Sequence, residues 1–182
     1  MCHYITAVLP GSADLTSLAA VADRYGRNLT PLKNPGIEEQ LKGGERYFLT
    51  TRGHCDCGTA LGALGRQEKQ FNRRNNSVET EEDKLRRKGW SESKISRWKE
   101  QKSQHLANPP KSADPTDWEH LLTEMLKSGK TPFVGILLHF YNGSIEGRIE
   151  LQGREVIKIK NLSPEALGRL EEDVLYEFRT ES

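Results

Sequence analysis

The densest chemistry in the chain is Arg52-Gly53-His54-Cys55-Asp56-Cys57-Gly58-Thr59, which packs a cation, an imidazole, a carboxylate, a hydroxyl and two thiols into one short stretch. Thiolates do two kinds of work: they bind soft metal ions, and they attack electrophiles. The third and last cysteine, Cys2, lies far away at the N-terminus. If the strands holding Cys2 and residues 45–51 are neighbours in the right register, Cys2 meets this loop. Cys2, His54, Cys55 and Cys57 would then form a tetrahedral zinc set of three thiolates and one imidazole. The pair is Cys-x-Cys rather than Cys-x-x-Cys, and it is expected to chelate only through a turn. The bland alternative makes Cys2 a small buried hydrophobe and leaves Cys55 and Cys57 merely lining a loop. The expectation from sequence is therefore no resident cofactor, with zinc as the ion the set would take.

As an enzyme site, the same loop offers Cys55 or Cys57 as nucleophile, paired with His3, His54 or His139. Asp56 completes the candidate set. Arg52 would serve as a phosphate or carboxylate clamp beside a helix beginning near Thr59, whose free N–H groups would face the anion. No glycine-rich nucleotide motif accompanies it.

The elements that must position these residues follow from periodicity. Residues 2–9 read as a strand stopped by Pro10-Gly11, and Asp14 caps a helix to about Arg24. Residues 28–44 are mostly loop, with one helical turn near Ile37 to Leu41. Glu45 to Thr51 is a second strand that runs into the cysteine loop. Asp114-Pro115 opens a helix with Trp118, Leu121, Leu122, Met125 and Leu126 on its buried stripe. Phe133 to Tyr141 is the most apolar strand, expected at the centre of a sheet. Residues 145–151 and 154–159 are expected to continue it as an antiparallel meander turning at Gln152-Gly153. A helix from Ser163 and a last segment at Val174 to Phe178 close the chain. The fold class is α+β: a mixed or largely antiparallel sheet with a C-terminal three-strand meander, packed against helices, plus a basic helical hairpin. Residues 1–182 form one domain, and residues 79–108 are the hairpin subdomain within it.

Charge is zoned although the whole chain carries only +1. Residues 66–111 hold thirteen basic and seven acidic side chains, whereas residues 112–182 hold eight basic and thirteen acidic. Lys84, Arg86, Arg87, Lys88, Lys94, Arg97, Lys99 and Lys102, with Trp90 and Trp98 among them, offer a phosphate-binding face. Seven interspersed acids argue against nucleic acid as a partner. Glu171, Glu172, Asp173 and Glu177 form an acidic set suited to a basic protein partner. His120 and Glu124 lack a metal-binding pattern and read as surface.

Three cysteines are too few, and odd in number, for a disulfide scaffold. No run of about 18 apolar residues is present, and no secretory leader opens the chain, so a cytoplasmic protein is expected. The functional expectation is a small protein-binding module, such as a bacterial inhibitor or immunity-type protein that neutralises a toxin domain. The alternatives are a thiol- or metal-dependent enzyme using Arg52–Thr59, and nucleic-acid binding through residues 84–102.

Overall fold

Strand β1 (Cys2–Pro10) carries Ile5, Ala7 and Leu9 on one side and Val8 on the other, all buried, so it must be covered on both faces. A computed structural model, which describes residues 2–62, 86–87, 89–97, 115–141 and 145–181, places it at the centre of a six-stranded sheet. The remaining strands are β2 (Thr30–Pro31), β3 (Glu45–Leu49), β4 (Phe133–Tyr141), β5 (Gly153–Lys158) and β6 (Val174–Arg179), in the order β2-β3-β1-β4-β6-β5. All neighbours are antiparallel except β5 and β6, which run parallel.

One face of the sheet is covered by helices α1 (Leu15–Arg24), α3 (Pro115–Lys127) and α4 (Pro164–Leu167). Asp14 caps α1 by accepting from the Ser17 N–H at 3.2 Å. The predicted stripe Trp118, Leu121, Leu122, Met125 and Leu126 is the buried side of α3 and packs against Ile5, Ala7, Val134 and Ile136. Burying such side chains contributes about 1.5–3 kcal/mol each, which is why this layer fixes α3 on the sheet. The opposite face holds Val8, Tyr47, Phe133, Leu137, Tyr141 and Leu175 beneath the short helix α2 (Pro35–Glu38) and the segment 145–151.

The α+β class agrees with the expectation, and three C-terminal strands do lie side by side. Their membership differs. Residues 145–151 form no strand, although Ile149 is buried as its alternation implied. Side chains supply the hydrogen bonds a ladder would have given. Buried Asn34 donates to the Ile145 and Gly147 carbonyls at 3.3 and 2.9 Å, while Gln40 donates to the Ile149 carbonyl at 2.7 Å and accepts from the Leu151 N–H at 2.9 Å. No hairpin turns at Gln152-Gly153. β5 instead pairs with β6, which fills the place beside β4.

The basic hairpin at 79–108 lies mostly outside the described residues, including Lys84, Lys88, Trp98, Lys99 and Lys102. Within its described part, residues 92–97 are helical, Arg86 pairs with Glu92, and the Lys94 ammonium sits 4.1 Å from the Trp90 ring centroid. Among the described residues no helix is long and apolar enough to cross a membrane.

Candidate thiol centre

β3 stops at Leu49, yet the chain keeps following β1. Thr50 hydrogen-bonds the Ile5 carbonyl through its N–H at 3.3 Å and its hydroxyl at 2.6 Å. The Asp56 N–H donates to the His3 carbonyl at 2.9 Å, and the His3 N–H donates to Cys57 Sγ at 3.2 Å. The loop therefore takes the edge of β1 that β3 has vacated. This brings Cys2, at the start of β1, beside Cys55 and Cys57.

Asp56 is the pin that holds this arrangement, and it is 1% exposed. Its carboxylate accepts from the Ile5 N–H at 2.9 Å, from Arg27 Nη1 at 2.6 Å and from the Thr51 hydroxyl. Its carbonyl accepts from both the N–H and the hydroxyl of Thr59, each at 2.9 Å. A buried carboxylate is tolerated only when so fully partnered. The Arg27 guanidinium in turn sits over Trp118, 4.5 Å from the ring centroid, so α3 buttresses the loop through a cation–π contact. The Asp56 carbonyl comes so close to Gly62 that a Cβ there would lie 1.7 Å away, which only glycine permits. Gly53, by contrast, has open space around it.

The sulfurs of Cys2, Cys55 and Cys57 all lie within 4.8 Å of one another, and this cluster can hold a metal ion. A tetrahedral zinc with Zn–S bonds of about 2.3 Å needs sulfurs roughly 3.8 Å apart, so small side-chain rotations close the set. Cys55 and Cys57 are two residues apart, which already puts them on one side of an extended chain; the turn shortens their separation. The backbone N–H of Cys57 lowers the Cys55 thiol from its usual value, helped by hydrogen bonds from the Cys57 and Cys2 thiols. Burial pushes Cys57 up. Tyr4 is also raised, first by burial and then by the three cysteines, and its hydroxyl donates to the His54 carbonyl at 3.0 Å.

The cluster borders a cleft of about 290 Å³ through Cys55 alone. Arg27, Arg52, Thr59, Asp117 and Trp118 are among its other lining residues. This is near the lower end of ligand-sized pockets, roughly 300–1,000 Å³.

Comparisons with family models, curated proteins and solved structures return no match. Residue geometry is thus the ground for any functional reading.

Of the expected site residues, the structure gathers Cys2, Cys55 and Cys57 and buries Asp56 as their anchor. His54 is exposed, and among the described residues no imidazole joins the thiol cluster. Arg52 is exposed and paired with Asp23. No helix starts at Thr59, so the expected anion seat at a helix N-terminus is absent there. The His3 ring bonds Glu172 through Nε2 at 2.9 Å, and His139 bonds Asp173 through Nδ1. Glu177 is fully buried among Arg154, Arg179 and Lys42. The acidic set is therefore engaged within the chain at three of its four positions, and Glu177 is not surface. Glu124 is likewise held by Arg24 and Tyr25. Sequence reading missed Arg27, Trp118 and Asp117 as cleft residues, because nothing in their spacing ties them to position 55.

Proposed function

We propose that this chain is a zinc-dependent enzyme whose metal is held by Cys2, Cys55 and Cys57. The observation that carries the reading is the convergence of all three thiols of the chain, from opposite ends of a 54-residue gap bridged by the His3–Cys57 bond, at one edge of the sheet. A purely structural zinc usually has four protein ligands, whereas a catalytic one has three and an open position. Here the described residues supply three. The fourth position would be left for water or substrate from the adjoining cleft.

Bound there, zinc would polarise an oxygen, nitrogen or sulfur donor. Arg27 and Arg52 provide hydrogen-bond donors at the cleft wall, and Asp117 an exposed carboxylate that can accept a proton. The protein-binding reading has no comparable support, since three of its four acidic contact residues are engaged within the chain.

The test is metal content after purification without chelator. About one equivalent of zinc is expected, falling at least tenfold in each of Cys2→Ser, Cys55→Ser and Cys57→Ser, all remaining folded by circular dichroism. Folded wild-type protein that neither carries zinc nor binds added zinc or cobalt would refute the reading.

A further inference from the structure

The three thiols are inequivalent, and the inequivalence matters when no metal holds them. Only Cys55 opens on the cleft. Cys57 is held by the His3 N–H at 3.2 Å, and Cys2 sits at the start of β1, where its sulfur is within 4.8 Å of the Cys55 sulfur. An accessible thiol with a second thiol beside it is the arrangement that thiol–disulfide exchange requires.

We propose that the metal-free protein reacts with small disulfides through Cys55 as attacking thiol and Cys2 as resolving thiol. The Cys55 thiolate attacks one sulfur of RS–SR, forming Cys55–S–S–R and expelling RS⁻, which takes a proton from water. The Cys2 thiol, deprotonated to solvent, then attacks Cys55 Sγ. The Cys2–Cys55 disulfide forms and the second RS⁻ leaves as RSH. The small disulfide is the oxidant, and two cysteines of the protein are oxidised.

Several features favour this division of labour. Cys55 lines the cleft, where a small disulfide can reach it. Movement of Cys57 would break its bond to the His3 N–H. Joining Cys55 to Cys57 would also require a disulfide between residues only two apart inside the turn pinned by Asp56. Cys2 arrives on a separate strand and closes a long loop, a far less constrained ring. The product lacks two of the three thiolates, so oxidation and metal binding exclude one another.

The inference rests on the same three-thiol cluster but not on the metal reading, and its test uses protein stripped with chelator. Oxidised glutathione is added, the reaction quenched with acid and the disulfides mapped by peptide mass spectrometry. Wild type is expected to yield the Cys2–Cys55 disulfide with two equivalents of reduced glutathione. Cys2→Ser should stop at the glutathione adduct on Cys55 with one equivalent released. Cys55→Ser should react on the order of tenfold more slowly, since of the three cysteines only Cys55 lines the cleft through which the small disulfide arrives. Adduct first on Cys2 or Cys57, a Cys55–Cys57 product, or equal rates in wild type and Cys55→Ser would overturn the assignment. The zinc measurement stands apart, so the two readings fail separately.

Discussion

Asp56→Ala is expected to be the most damaging single change in the cysteine loop, more so than loss of any thiol. The carboxylate is 1% exposed and accepts three hydrogen bonds, one of them from Arg27, whose side chain is only 12% exposed. Removing one partner of a buried ion pair costs about 3–5 kcal/mol, because the other charge is left behind. The orphaned Ile5 N–H and Thr51 hydroxyl add to this cost, while water entering the adjoining cleft relieves part of it by rehydrating Arg27. A net loss of about 4 kcal/mol is the working figure. For a chain of this size that corresponds to a fall in Tm of roughly 8–16 °C. Urea denaturation at pH 7 measures it directly. The pair Asp56→Ala with Arg27→Met should cost less than the sum of the two single changes, since the double variant leaves no buried charge unpaired. A loss below about 1 kcal/mol for Asp56→Ala, or strict additivity in the cycle, would refute the view that this carboxylate is the pin.

His54→Ala should leave Tm within about 2 °C of wild type, because the residue is exposed and engages Tyr4 through its carbonyl only. Gly62→Ala should destabilise by about 3 kcal/mol or more in urea, since the new methyl would overlap the Asp56 carbonyl. Acid should weaken the fold partly through Glu177. Burial would raise this carboxyl, but Arg179 and Arg154 overcome that effect and hold it below the ordinary 4.5. A depressed folded-state value means that the stabilisation is complete above about pH 5 and is lost as pH falls through the folded value. Glu177→Gln should therefore show a smaller loss of stability between pH 6 and pH 3 than wild type in paired urea titrations.

The strands and helices with strong periodicity were legible because one residue pattern decides each of them. β1, α1, β4 and the stripe of α3 are cases where apolar spacing alone dictates which side is buried. Segment 145–151 shows where that logic runs out. Its alternation correctly reports burial of Ile149, yet burial does not require a ladder when Asn34 and Gln40 satisfy the backbone from outside the segment. The meander was a sound inference from pattern, overridden by two side chains more than a hundred positions away. β5 and β6 could not be ordered from sequence either, as a short strand says nothing of which neighbour it joins.

The thiol site divides along the same line. Its ingredients were visible as residue types, and the approach of Cys2 followed once β1 and β3 were neighbours. Hidden from sequence was the division of roles inside the loop. Asp56 lies between two cysteines and looks like one more reactive group, but its burial and its bonds to Ile5, Arg27 and Thr51 make it the anchor. His54, the obvious ligand or base, is exposed because the chain bends at residues 52–54, which breaks the alternation that would set it on the side of Asp56. Pinning residue 56 leaves Cys55 and Cys57, on either side of it, beside Cys2. One carboxylate thus determines which of its neighbours are chemically available. A change at Asp56 should therefore disturb metal binding and thiol exchange together, whereas a change at Cys2 should abolish resolution of the mixed disulfide and leave the attack by Cys55 intact.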